Sequence, residues 1–285
     1  MNGFTADWLA LREPVDAAAR DAGLARRFAA SLPQPARLAD LGAGTGANAR
    51  VLAPVFGGDQ HWLLVEADEA LCRAQRETLL AWAERAGHAA RAADDAVVVH
   101  APTGTWRFAS LALDLRLDWG PLVAARLDGI TCSALLDLAS AAWIERLAAW
   151  LAARRLPFLA ALTVDGRRVW MPPALEDAAV AAAFRRHQTH DKGLGPALGG
   201  AATEHAAKSL ARLGFAVTTA ASDWRLAPGA ALVERLVRGD AEAALEAAPE
   251  AADAIARWRE RRLAEAAAAT LGLTVGHREL LALPG

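Results

Sequence analysis

The sequence predicts an α/β fold in which a mostly parallel sheet carries helices on both faces. Two observations lead there. The apolar segment Ala36–Leu41 runs into the loop Gly42-Ala43-Gly44-Thr45-Gly46 and then into a helical pattern, and strand–helix alternation recurs as far as Val164. Late in the chain, alanine-rich stretches have the composition of helices. A length of 285 residues accommodates one such domain with a sizeable insertion.

The opening stretch, Trp8 to Ser31, reads as one helix with apolar residues at three- and four-residue intervals, ended by Pro33 and Pro35. After the glycine loop and its helix, Gly57-Gly58 turns the chain into a second strand, His61–Glu66. A long helix follows from Glu69 to about Ala86. Trp106–Leu113 and Leu127–Leu135 suit the third and fourth strands, Ala139–Arg154 a helix and Leu156–Val164 a fifth strand. Asp165-Gly166 then interrupts the pattern, and residues 167–202 read as a substrate lid. A helix, Thr203–Leu213, and a strand, Phe215–Ser222, resume the fold. Two helices, Ala230–Val237 and Pro249–Ala269, form an insertion over 225–272 before a last strand at Arg278–Leu283.

Composition excludes several classes. No apolar run is long enough for a membrane span, and the first residues lack the pattern of a signal peptide. Cys72 and Cys132 are the two cysteines, neither in a metal-ligand spacing, so no structural metal and a reducing, cytoplasmic setting are expected. Net charge is −2, and the arginine pairs are scattered rather than gathered on one face, so no nucleic-acid partner is expected. The sequence gives no sign of an oligomeric state. Ten tryptophans and no tyrosine are unusual; Trp143 and Trp170 are pocket candidates by position, with core packing the stronger expectation.

The glycine loop lets a ligand approach backbone at a helix N-terminus. Its pattern alone fits both a dinucleotide and S-adenosylmethionine. Charge separates them. Asp40, at the mouth of the loop, would repel a pyrophosphate but favour a sulfonium and an ammonium, and Glu66 can accept two ribose hydroxyls. The alternative for Asp40 is a helix cap or dipole partner.

Leu38–Gly46 resembles motif I of class I S-adenosylmethionine-dependent methyltransferases, Leu64–Asp68 resembles their acidic post-I motif, and Leu127–Ser133 resembles their fourth-strand motif. The opening Trp8–Asp16 and the block His187–Gly193 further resemble an uncharacterised bacterial branch of that superfamily, although Glu66 stands where that branch would have aspartate. The resemblance implies a Rossmann-like seven-stranded sheet with an antiparallel last strand. It implies residues 1–35 as a helical cap on a methyltransferase domain at 36–285. It also implies S-adenosylmethionine as donor and S-adenosylhomocysteine as product; membership of that branch names no substrate, and the near-neutral charge points to a small-molecule acceptor. Donor-binding residues are then Asp40, Gly42, Ala43, Gly44, Gly46, Glu66 on the ribose, Ala67 near the adenine, Asp114 by position, Ser133 and Arg12.

Methyl transfer requires alignment and water exclusion, with a base only where the nucleophile must lose a proton. Ligands of such sheets lie beyond the strands' carboxyl ends, so Asp137 is a candidate to orient or deprotonate an oxygen, nitrogen or carbon nucleophile; its alternative is the cap of the next helix. His187 and His190, in the most polar loop of the chain, are candidate bases on the lid; their alternative is a solvated polar surface. Arg12 could meet the donor's carboxylate or form a surface ion pair. An NAD-linked oxidoreductase and a non-catalytic donor-binding protein are the competing functional readings.

Overall fold

The computed structural model describes residues 5–117 and 119–285; residues 1–4 of the expected cap and Asp118 lie outside the described residues. Five parallel strands make the centre: β1 (Ala36–Leu41), β2 (Gln60–Glu66), β5 (Gly104–Ala112), β6 (Gly129–Ser133) and β7 (Phe158–Met171). β10 (Gly272–Pro284) inserts antiparallel between β7 and β8 (Phe215–Ala221). The order β5-β2-β1-β6-β7-β10-β8 is the Rossmann-like seven-stranded arrangement with a reversed last strand. Three strands lie outside it. β3 (Ala89–Ala93) and β4 (Ala96–Ala101) form a hairpin on β5, and β9 (Trp224–Leu226) pairs with the start of β10.

Helices α2 (Ala22–Ala30), α3 (Ala47–Phe56) and α4 (Glu69–Arg85) cover one face, where Phe28, Leu52, Leu79 and Trp62 pack on Leu38 and Leu64. The other face carries α6 (Ala141–Arg154) and α8 (Ala202–Arg212) over Ile130, Phe158 and Leu280. Side-chain caps start several of these helices: Asp21 accepts from Leu24 N–H at 2.8 Å, Asp68 from Ala70 N–H at 2.7 Å and Ser140 from Trp143 N–H at 3.2 Å. A third core lies under α9 (Ala231–Ala247) and α10 (Ala252–Ala267), where Trp170 and Trp258 meet edge-to-face at 5.7 Å. Both Trp143 and Trp170 are buried core residues. Each contributes on the order of 2–3 kcal/mol through burial.

Four expected boundaries move, one of them at the helix expected over Ala230–Val237, which continues to Ala247 as α9 because Ala241 and Ala244 extend its buried face. The leading helix is two helices, α1 (Ala6–Ala19) and α2, because Asp21 caps a new one. Asp165-Gly166 does not end the fifth strand. Pairing runs from Val164↔His277 to Arg168↔Val275, so residues 165–167 bulge opposite Gly276, and β7 continues to Met171. A Cβ at Gly276 would lie 2.1 Å from Asp165 Oδ1, so the bulge needs glycine there. The last strand correspondingly starts at Gly272, six residues before the expected Arg278. The described residues include no helix long and apolar enough to cross a membrane.

Candidate active site

Register brings the working loops together. Leu41 of β1 pairs with Val65 of β2 and Cys132 of β6, so the glycine loop, Glu66 and Ser133 emerge side by side. Gly42, Gly44 and Gly46 have φ of +65°, +54° and +83°, a region that glycine enters without steric cost. A Cβ at Gly42 would meet Leu135 Cδ1 at 3.1 Å, and one at Gly44 would meet Leu9 Cδ1 at 3.0 Å. Ala43 N–H donates to the Val65 carbonyl at 2.9 Å.

Two buried side chains hold the loop. Gln75 on α4 donates from Nε2 to the Gly44 carbonyl at 2.9 Å and accepts from Ser110 Oγ at 2.5 Å. Arg50 on α3 donates to the Thr45 carbonyl at 2.5 Å and to both Glu13 oxygens at 3.1 and 2.6 Å. With Leu9 over Gly44, that ion pair seats α1 on the loop.

Glu66 bends back onto backbone. Its carboxylate accepts from Gly44 N–H at 2.8 Å, Ala67 N–H at 2.8 Å and Asp68 N–H at 3.0 Å. Ala67 is exposed beside it. Leu113 N–H donates to the Glu66 carbonyl at 2.9 Å, which brings Asp114 to the same edge. Asp114 is engaged by Arg116, through Nε at 2.8 Å and Nη2 at 2.5 Å, and this cation holds its carboxyl below the usual range.

Beneath α1 the sheet end is polar and closed. Asp40 is buried behind the loop and accepts from Asn48 Nδ2 at 2.6 Å; its other oxygen has no partner, and burial pushes it up to about 7. It is therefore a partner of the first turn of α3 through a side chain rather than a helix cap. Arg20, where α1 ends, donates to Ser133 Oγ at 3.2 Å and faces Glu279 of β10, Asp16 and Asp40; its Nε has no partner. Glu279 is also buried, with Oε1 unpartnered, and desolvation raises it to about 7. Asp137, in a 3₁₀ turn after β6, is buried, with Oδ1 unpartnered and its carboxyl raised to about 6. It does not cap the next helix; Ser140 does. Arg12 pairs with Asp16 at 2.8 Å and lies over the Trp224 ring at 5.0 Å. Its side chain is only 12% exposed, so this is not a surface pair.

The segment read as a lid divides in two. Leu194 bridges Ala139, and Ser140 N–H donates to the Leu194 carbonyl at 3.1 Å, so this part rests on the turn beyond β6. His187 and His190 sit instead at the end of α7 (Asp177–Gln188), toward α9. His187 Nε2 is 3.0 Å from Glu246, Lys192 Nζ is 3.5 Å from its Nδ1 and the two imidazoles are 5.3 Å apart. Burial and Lys192 depress the His187 pKa. Among the described residues, no hydrogen bond joins these histidines to Asp137 or the glycine loop, and no group of three or more His, Cys, Asp or Glu could hold a metal.

Sequence reasoning missed Arg20, Gln75, Arg50 and Glu279. One signal was available: Glu279 is an acidic residue in the otherwise apolar Glu279–Leu283 run.

No family model and no curated protein matches the chain. Solved structures do. A cyclopropane-fatty-acyl-phospholipid synthase-like protein from Lactobacillus casei is similar at 17% identity and TM-score 0.48, over 97% of this chain and 94% of that one. An S-adenosylmethionine-dependent methyltransferase from Geobacter sulfurreducens, in complex with S-adenosyl-L-homocysteine, is similar at 16% identity and TM-score 0.44, covering 94% and 92%. An O-methyltransferase family protein from Burkholderia thailandensis is similar at 16% identity and TM-score 0.44, covering 95% of this chain and 57% of that one.

Proposed function

We propose that this protein is an S-adenosylmethionine-dependent methyltransferase acting on a small-molecule oxygen, nitrogen or carbon nucleophile by in-line displacement. The observation that carries the reading is the Glu66 carboxylate bound to Gly44 N–H in the glycine loop. In a dinucleotide site, loop amides of this kind face a pyrophosphate. Here an anion belonging to the protein already takes one of them, with Asp40 behind it, which opposes a second anion and favours a cationic donor.

When bound, the donor supplies a methyl group activated by a positively charged sulfur. In this reading Gly42, Ala43, Gly44 and Gly46 give it close backbone approach, Glu66 accepts ribose hydroxyls and Ala67 lies near the base. Asp114 serves the base's edge once released from Arg116. Ser133, Arg20 and Arg12 form the polar end of the donor site, and Asp40 provides its counter-charge. Helix α1 excludes water. Asp137, beyond β6, is the proton acceptor for the nucleophile, and the Leu194 part of the lid segment, which rests on the turn after β6, covers that end of the site.

Calorimetry with S-adenosylhomocysteine and with NADH tests the reading. Wild-type protein is expected to bind the first and not the second, and Glu66→Ala to weaken binding roughly 100-fold through the loss of charge-assisted hydrogen bonds. Binding of NADH without S-adenosylhomocysteine would overturn it.

A further inference from the structure

The loop after β5 is held at its backbone and loose at one side chain. The Leu115 carbonyl accepts from Trp119 Nε1 at 2.8 Å, Trp143 Nε1 at 3.1 Å and Arg146 Nη2. Trp143 and Arg146 stand on α6, so this carbonyl cannot shift without breaking two hydrogen bonds to that helix. Arg146 Nη1 also donates to the Arg116 carbonyl at 3.4 Å. The Arg116 side chain is different. It is 58% exposed, and its polar partner is Asp114, which accepts as well from the Arg116 N–H at 2.9 Å.

The stem of Arg116 lies against the lid segment. A Cβ at Gly193 would stand 3.9 Å from Arg116 Cδ, at van der Waals contact. Gly193 N–H donates to Asp191 Oδ1 at 2.7 Å, and Gly195 N–H donates to the same oxygen at 3.1 Å. Asp191 is exposed, and both of these bonds leave its Oδ2 open to a cation. Arg116 therefore stands between two carboxylates, bonded to Asp114 and one contact away from Asp191; Asp114 foremost, and Asp191 to a lesser degree, favour its charged form. Beyond this point the segment is pinned. Ser140 N–H donates to the Leu194 carbonyl at 3.1 Å and Leu198 N–H to the Ala139 carbonyl at 2.9 Å, so residues 189–193 form the arm between α7 and the pinned part. Exposed ion pairs contribute little, so exchanging one carboxylate for the other is nearly neutral and a ligand can decide it.

We infer that Arg116 is a positioning residue that passes from Asp114 to Asp191 when the donor binds and so fixes residues 189–193 against the loop after β5. The inference rests on the donor reading above, in which the base of the donor takes over Asp114. The freed guanidinium finds its next carboxylate on the lid segment, where Oδ1 stays with the two glycine amides and Oδ2 accepts the cation. The lid then orders after the donor is in place. Because coupling between two events is reciprocal, an ordered lid strengthens donor binding by the same factor.

Amide hydrogen exchange over residues 189–195, read by mass spectrometry, tests this. Saturating S-adenosylhomocysteine is expected to slow exchange there roughly fivefold in the wild type, and Arg116→Gln should lose that slowing. Asp114→Asn keeps an oxygen for the Arg116 N–H but drops the charge, so it should exchange slowly with no ligand present. Adding either Arg116→Gln or Asp191→Asn to it should restore the fast rate. Wild-type exchange in ligand-free Asp114→Asn, a slow rate that survives Asp191→Asn, or a ligand-induced slowing that survives Arg116→Gln would each overturn the inference. Calorimetric binding of S-adenosylhomocysteine, measured separately, reports on the donor reading. If that binding is absent, the ligand-free Asp114→Asn comparison still decides whether Arg116 passes to Asp191.

Discussion

Asp40→Asn is expected to stabilise the protein at pH 8 by as much as about 4 kcal/mol and to leave its stability at pH 4 nearly unchanged. The carboxyl is 1% exposed and is pushed from its ordinary 3.8 up to about 7, by burial first, against the opposing pull of Asn48 and Arg20. A carboxyl with a raised folded-state pKa binds its proton more tightly folded than unfolded. Its contribution is therefore fully present below about pH 3.8 and is lost as pH rises through about 7. Asparagine removes that loss, and its amide oxygen can still accept from Asn48 Nδ2. Urea unfolding of both proteins at pH 4 and pH 8 checks it; equal stability at pH 8 would contradict the assignment. Under the proposed function the same substitution removes the donor's counter-charge, so S-adenosylhomocysteine, which keeps its ammonium, should bind roughly tenfold more weakly. Under that reading, Asp40 lowers the stability of the fold and is kept for the donor it binds.

Arg262→Ala is expected to cost about 3–5 kcal/mol, read as a lower urea midpoint and faster proteolysis between α7 and α10. Arg262 is fully buried on α10. It donates to the Pro172 carbonyl at 2.8 Å, to Glu265 at 2.7 Å and to Asp177 of α7 at 2.5 Å, while Trp258 Nε1 donates to the other Asp177 oxygen at 2.8 Å. Removing the guanidinium leaves a cavity beside Trp258 and leaves Asp177, whose side chain is 19% exposed, without its cation and with only the Trp258 and Ala174 N–H donors. Replacing both charges, as in Arg262→Met with Asp177→Leu, should recover much of the loss, because the uncompensated partner is what makes the single change costly. If Arg262→Ala unfolds at the wild-type midpoint, this cluster does not fasten α10 to α7.

Much of the central sheet was legible because its signals are local. Ala36–Leu41, His61–Glu66 and Leu156–Val164 are short apolar runs next to turn residues, and glycine at 42, 44 and 46 marks a loop whose φ values only glycine adopts freely. The β3–β4 hairpin was not legible. Its first arm is Ala-Ala-Arg-Ala-Ala, whose composition favours helix, and it is a strand only because β4 pairs with it on one side and with β5 on the other. The extension of β7 past Gly166 was hidden for the same reason, since a bulge looks like a strand end until its partner strand is placed.

Candidate site residues divide along the same line. Glu66 and the glycines could be named from the sequence because backbone geometry within a strand–loop–helix unit is set by near neighbours. His187 and His190 were named for polarity alone, and the fold turns them toward Glu246 on α9. Arg20 meets Ser133 and faces Glu279 only because α1 is latched to the glycine loop through Arg50–Glu13 and β10 is inserted beside β7. By itself the sequence determined the α/β class, the loop and the acid that follows it. Tertiary structure decided which charges are desolvated together, because burial and electrostatic environment depend on segments far apart in the chain.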